Sequence, residues 1–155
     1  MKVLMLKLYS ISLGIRLLDH DEYSRWMNSA KNTLESAVND LNGKFFSWTC
    51  FKAQQAAEKA LKALLWGSGK PKVGHSLANL LSEIEKELRV KVPDEIRENC
   101  IRLSKYYTIT RYLNVWESGT PEEYFTHDEA REAVQRAEQV IKWVEAIWKK
   151  LSKNV

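Results

Sequence analysis

The residues best suited to bind an anion lie in one short segment, residues 106–112. This segment places Arg111 between Tyr107 and Tyr112, and Asn114 follows closely. A guanidinium group matches two phosphate oxygens with parallel hydrogen bonds, and a tyrosine ring stacks on a nucleic acid base. The alternative is that Arg111 ties its own loop to helix carbonyls or to a carboxylate. The segment therefore indicates either a phosphate-binding site or a structural arginine.

A second group of candidates lies in the most basic part of the chain. Residues 44–72 contain six lysines and one glutamate, a local net charge of +5, whereas the whole chain carries +4. Such a surface attracts phosphate-bearing partners, although a solvated lysine face also keeps a helix soluble. Lys59 and Lys62 are the candidate phosphate contacts. His75 lies in the sequence GHSL at 74–77. We expect it either to bind a ligand or to form hydrogen bonds in the turn between two helices.

Other kinds of chemistry find little support in the sequence. His20, His75 and His127 are scattered without metal-ligand spacing, so we expect no metal and no cofactor. Cys50 and Cys100 form no CxxC pair and lie on apolar helical stripes, which predicts buried, inert thiols of a cytoplasmic protein. No GxSxG sequence and no glycine-rich phosphate loop is present.

The elements that position these residues are predicted to be helices. Apolar residues recur every three or four positions, which predicts an all-α antiparallel up-and-down bundle of four to five helices. The predicted helices run from Ser24 to Asn42, through the run from Phe46 to Leu64, from Leu77 to Leu88 with Ser76 as cap, from Pro93 to about Tyr107, and from a Thr126–Glu129 capping box to Leu151. Glu58 and Lys62 lie four residues apart on a more polar flank of the second of these helices. The connection from Thr108 to Phe125 is long for a bundle, and long ordered loops tend to carry function.

The first 22 residues are predicted to form an extra N-terminal element before a single domain at 23–155. Residues 3–18 are apolar and fit either a helix packed on the bundle or a strand that pairs with its copy in a second chain. We expect no signal peptide, because a small-residue cleavage site is lacking. No apolar run approaches the length of a membrane-spanning helix, so we expect no contact with a membrane.

Four pieces of the sequence, taken in order, resemble the HEPN domain family. They are FKAQQAAEKALKALL at 51–65, GHSL at 74–77, TRY at 110–112, and Tyr124-Phe125-Thr126 leading into an alanine-rich final helix. The resemblance covers about residues 23–150. It implies a helical bundle that forms a homodimer and is often encoded beside a small nucleotidyltransferase as a toxin–antitoxin pair.

The resemblance also implies a chemistry from which this chain departs. Many family members are metal-independent RNases with an arginine, four to six residues, and a histidine, in which paired imidazoles move protons while arginines hold the phosphate. After Arg111 those positions are Trp116, Glu117 and Ser118. We therefore expect a homodimer that binds a nucleotide or RNA near Arg111 and serves as the partner of a nucleotidyltransferase.

Two alternatives stay open. One is a ribonuclease in which His75 or His127 of one chain meets Arg111 of the other. The second is a scaffold that only binds proteins through its apolar helix faces. The candidate ligand-binding residues are Arg111, Tyr112, Asn114, Tyr107, Lys59, Lys62 and His75, and the candidate catalytic residues are Arg111, His75 and His127.

Overall fold

In the computed structural model, residues 1, 2, 4, 5 and 17–154 are described. These residues form helices and turns without any strand, which confirms the predicted all-α bundle. The helices are α1 (His20–Asn42), α2 (Phe46–Gly67), α3 (Leu77–Leu88), α4 (Asp94–Ser104), α5 (Tyr106–Ile109) and α6 (His127–Lys153). Two 3-10 turns, Leu113–Val115 and Pro121–Glu123, lie in the connection between α5 and α6.

Helix α2 is the centre of the bundle. It contacts α1, α3, α4, α5 and α6. Its fully buried small residues are Ala53, Ala56, Ala57, Ala60 and Ala63. Because the distance between packed helices is set by the side chains at the contact, this alanine surface lets several helices approach α2 at once. Any polar side chain on the packed faces of α2 is therefore enclosed by its neighbours.

Three of the described helices, α1, α3 and α6, are capped at their starts by short polar side chains. The carboxylate of Asp19 accepts a hydrogen bond from the N–H of Glu22 at 3.0 Å, at the start of α1. The Ser76 hydroxyl accepts from the N–H of Asn79 at 3.2 Å, which confirms the cap predicted for α3. At the start of α6 the Thr126 hydroxyl accepts from the N–H of Glu129. Each cap satisfies a backbone donor that has no partner inside its helix.

The region after α4 differs from the sequence prediction. The apolar spacing predicts one helix to about Tyr107, but α4 ends at Ser104 and a separate turn of helix, α5, follows. At the last residue of α4 the Ser104 hydroxyl donates to the carbonyl of Cys100 at 2.7 Å, four residues earlier. The break interrupts the helix before Tyr107 and Arg111, so these residues lie in a separate segment at the bundle's edge.

The N-terminal predictions are only partly covered by the structure. Most of residues 3–18 lie outside the described residues, although residues 4 and 5 are helical. Helix α1 begins three residues before the predicted domain boundary at residue 23, and the division at 22/23 stays a prediction. Within the described ranges, none of the helices combines the length and the apolar character that a bilayer crossing requires.

Candidate functional site

His75 and Arg111 are brought together around Tyr107. The imidazole of His75, which precedes α3, stacks on the Tyr107 ring with centroids 4.5 Å apart and planes 18° from parallel. The guanidinium carbon of Arg111 lies 4.9 Å from the centroid of the same ring. We call Phe51, Glu58, His75, Tyr107 and Arg111 the His75–Arg111 cluster. It joins helix α2, the turn before α3, helix α5 and the loop that follows α5.

Arg111 is half-buried between aromatic rings. Its guanidinium carbon is 4.1 Å from the centroid of Phe51 and 5.1 Å from that of Tyr112, which is within the range of cation–π attraction. Its Nε donates to the carbonyl oxygen of Tyr107 at 3.1 Å, and Nη2 donates to the same oxygen. The arginine thus ties its own loop, as one of the two alternatives anticipated.

That tie leaves part of the guanidinium group available. It uses two of the five N–H donors, and no further hydrogen bond and no carboxylate partner of Arg111 occurs among the described residues. A charged group surrounded by rings and without a counter-ion attracts an anion. The structural and the anion-binding interpretations of Arg111 are therefore compatible.

The imidazole of His75 contacts a buried carboxylate, that of Glu58. Its Nδ1 lies 3.1 Å from Oε1 and 3.3 Å from Oε2 of Glu58. The side chain of Glu58 is 5% exposed, whereas that of His75 is 54% exposed. Gln54 donates from Nε2 to the carbonyl oxygen of His75 at 3.3 Å, so the backbone of the turn is also attached to α2. His75 therefore links the core to the surface.

Glu58 lies in a buried polar network rather than on the polar flank that the sequence indicated. Its Oε1 accepts from Lys62 Nζ at 2.8 Å, and its Oε2 accepts from Gln55 Nε2 at 3.1 Å and from Gln54 Nε2 at 3.4 Å. Both ends of the ion pair are buried, with 4% exposure for Glu58 and 8% for Lys62. A buried charge is tolerated only when it is paired and hydrogen-bonded. The sequence predicts the pairing but not its burial, because burial depends on the helices packed around α2.

The two lysine candidates are occupied by contacts inside the protein. Lys62 Nζ is paired with Glu58 and lies 5.6 Å from the ring centroid of Trp26. Lys59 is half-buried and donates from Nζ to the hydroxyl of Thr33 at 2.9 Å. Neither has a described contact with Arg111, and their role as phosphate contacts stays a prediction.

The other predicted site residues surround the cluster or lie apart from it. Tyr112 is 50% exposed, and Asn114 is exposed on the first 3-10 turn. His127 begins α6, where it meets the Phe46 ring edge-on at 5.7 Å and lies 3.6 Å from a carboxylate oxygen of Asp128. No described contact connects His127 with Arg111 within one chain.

Trp116, at the first of the three positions after Arg111 where the expected histidine is absent, has a structural role. Its ring stacks on Tyr124 at 4.0 Å, and its Nε1 donates to the carbonyl oxygen of Ile109 at 2.9 Å. The following 3-10 turn is closed by a capping box between Thr120 and Glu123. These contacts order the long connection and fix the loop in which Arg111 lies.

Two further groups of residues carry reactive or polar side chains. Cys50 and Cys100 are buried free thiols, and burial raises the pKa of each to about 12, so neither is a thiolate nucleophile near neutral pH. A polar cleft of about 300 Å³ between α4 and α6 contains Asn99 and Arg136, whose Nη1 donates to Asn99 Oδ1 at 2.7 Å. Over the part of the chain that the structure describes, no three His, Cys, Asp or Glu side chains are grouped to hold a metal ion.

Comparison with known proteins places these features in context. The family model described as "HEPN domain" matches residues 23–147. Among solved structures, TT1696 from Thermus thermophilus is 35% identical, with a TM-score of 0.76 over 80% of this chain and 96% of that one. ST0689, titled an archaeal HEPN homologue, is 35% identical, with a TM-score of 0.67 over 80% and 95%. A HEPN domain protein from Thermotoga maritima, tm0613, is 32% identical, with a TM-score of 0.65 over 81% and 98%. Among curated proteins none matches the chain.

Proposed function

The chain belongs to the HEPN domain family, and from this premise we propose that it is a cytoplasmic dimer that binds a nucleotide or RNA at the His75–Arg111 cluster. Proteins of this family are commonly dimers. The single observation that carries the ligand proposal is Arg111 itself. It is a half-buried cation with free donors and no described carboxylate partner, and it lies among three aromatic rings.

The chemistry of the cluster fits both parts of a nucleotide. The free N–H groups of Arg111 form charge-assisted hydrogen bonds with phosphate oxygens. The exposed ring of Tyr112 and the His75–Tyr107 stack offer flat surfaces to a base, and stacking of this kind is tolerant of sequence.

Ligand-dependent thermal stability tests the proposal. With ATP, GTP or a short RNA at about 100 times its Kd, the free energy of unfolding rises by roughly 2.7 kcal/mol, which corresponds to a Tm increase of roughly 5–10 °C for a chain of this size. We expect Arg111→Ala to abolish the increase. Arg131→Ala is the matched control, since Arg131 is exposed on α6 and has a described ion pair only with Asp128, at 3.8 Å. An equal Tm in the presence and absence of every ligand contradicts the proposal.

We also propose that the dimer acts together with a small nucleotidyltransferase, as the family likeness implies. Co-expression followed by size-exclusion chromatography with light scattering checks this arrangement. A stable hetero-complex is the expected result, and separate elution of the two proteins speaks against it. A hetero-complex combined with no response to any nucleotide would favour a pure protein-binding scaffold.

A second candidate function is metal-independent RNA cleavage, and one observation favours it. His75 and Arg111 both contact Tyr107, so an imidazole and a phosphate-binding group lie at one site. In such a reaction an imidazole accepts the proton of the 2′-hydroxyl as it attacks the phosphorus, and a second acid protonates the leaving 5′-oxygen. Incubation of total RNA with the protein in a chelator decides the question, and intact RNA at high protein concentration excludes the activity.

A further inference from the structure

We propose that Glu58 is a positioning residue for His75: its buried carboxylate holds the Nδ1–H of the imidazole, so that Nε2 is the nitrogen presented to the ligand. The ligand part of this inference rests on the proposed function, whereas the orientation of the ring does not. Neither the pairing of Glu58 with His75 nor the tautomer of His75 can be predicted from sequence spacing, because the two residues lie on different elements.

The direction of the hydrogen bond follows from the chemistry of the carboxylate. An ionised carboxylate only accepts hydrogen bonds. Both of its oxygens lie within 3.3 Å of His75 Nδ1, so the ring nitrogen on this side must carry the hydrogen. A lone pair in that position would face the negative charge of Glu58 at hydrogen-bonding distance, which is repulsive. In the neutral ring the lone pair is therefore on Nε2.

The position of the ring is fixed in three ways. The carboxylate holds Nδ1, the Tyr107 stack fixes the plane of the imidazole, and Gln54 holds the backbone carbonyl of His75. Lys62 balances the charge of Glu58 inside the protein, so the carboxylate does not depend on His75 for its counter-ion. A side chain that is held by a buried partner and is itself 54% exposed is oriented for contact with a ligand.

Nuclear magnetic resonance of the ligand-free protein with ¹⁵N-labelled histidine tests the orientation directly. At a pH where the ring is neutral, we expect His75 to be the tautomer with hydrogen on Nδ1. In Glu58→Gln we expect this preference to be lost, since an amide donates as well as accepts. Gln55→Leu is the matched control, because it removes a neighbouring donor and leaves the carboxylate in place. A wild-type ring with hydrogen on Nε2, or a tautomer unchanged by Glu58→Gln, overturns the inference.

A binding measurement connects the orientation with function. We expect Glu58→Gln to weaken the binding of fluorescein-labelled hexauridylate, followed by anisotropy, by about tenfold, while Gln55→Leu changes it by less than about threefold. Because Glu58→Gln leaves Lys62 buried without a counter-charge, the double variant Glu58→Gln/Lys62→Met provides a second form that removes both charges. We expect the double variant to lose the tautomer preference in the same way. Retention of the wild-type tautomer in this variant overturns the inference.

The two tests separate the inference from the proposed function. If hexauridylate, ATP and GTP all fail to bind the wild-type protein while His75 has its hydrogen on Nδ1, the proposed function fails and the positioning by Glu58 stands. If hexauridylate binds while the ring has its hydrogen on Nε2, the positioning fails and the proposed function stands.

Discussion

Gly67, the last residue of α2, is required because no space exists for a side chain at this point. A Cβ added to Gly67 would lie 2.8 Å from Cη2 and Cζ3 of Trp148 and 2.8 Å from the Cβ of Tyr23. The rings of Tyr23 and Trp148 stack at 4.1 Å with planes 3° apart, and both residues are buried. Neither neighbour can therefore turn away, and Gly67→Ala must push apart α1, α2 and α6.

The size of the effect follows from two opposing contributions. Carbon atoms pack best at about 3.5–4.0 Å, so the added methyl group is too close by roughly 0.7 Å or more. Overpacking of this kind costs about 1–3 kcal/mol. Alanine is favoured over glycine in a helix interior by at most ~1 kcal/mol, and by less at a terminal residue such as Gly67. We expect the free energy of unfolding to fall by about 1–2 kcal/mol and Tm by roughly 2–8 °C.

Urea denaturation followed by far-UV circular dichroism measures this change, provided that the m-value stays constant. A double-mutant cycle with Trp148→Phe identifies the cause, since phenylalanine lacks the outer indole carbons that meet the new methyl group. In the Trp148→Phe background we expect the cost of Gly67→Ala to shrink by about 0.5 kcal/mol or more. Unchanged or increased stability of the Gly67→Ala single variant would refute the steric argument.

Three further predictions concern charge, thiols and a helix cap. If Arg111 neutralises one phosphate, Arg111→Ala lowers the slope of log affinity for hexauridylate against log salt by about 0.7, measured by anisotropy titrations at several salt concentrations, and an equal slope contradicts the contact. We expect Cys50 and Cys100 to resist a thiol reagent until the protein unfolds. Burial raises the pKa of both thiols and of Tyr23 to about 12, so between about pH 9 and 12 the folded state keeps protons that the unfolded state loses. Urea titrations should therefore show the free energy of unfolding falling from about pH 9 to 12. Ser76→Ala removes the cap of α3 and should cost about 1 kcal/mol in the same assay, and no loss would show that the cap bond is dispensable.

The helices are predictable from the sequence because their signals are local. Apolar spacing and capping residues act within a few positions of each other, and Ser76 and Thr126 cap α3 and α6 as the sequence indicates. The break after Ser104 escapes the prediction, because the apolar spacing through Leu103 and Tyr107 continues across it without interruption.

The site is predictable as a set of residues but not as an arrangement. Arg111, Tyr107 and His75 are each identified from their types, yet their contact depends on how the turn before α3 packs against α5. The sequence places Glu58 on a polar flank with Lys62, because an i,i+4 pair has the same sequence pattern whether it is buried or exposed. The neighbouring alanines are the signal that could have corrected this, since they indicate close helices on several sides of α2.

The loop that holds Arg111 supports the proposed ligand binding more directly than the proposed RNA cleavage. Trp116, at a position where nuclease members of the family carry histidine, is stacked on Tyr124 and bonded to the carbonyl of Ile109. Its ring keeps the loop ordered and transfers no proton, and the imidazole of the cluster within one chain comes instead from His75, in the turn before α3. The proposed RNA cleavage would therefore need a second acid from another residue of the proposed dimer, whereas the proposed nucleotide binding needs only the free donors of Arg111 and its adjacent rings.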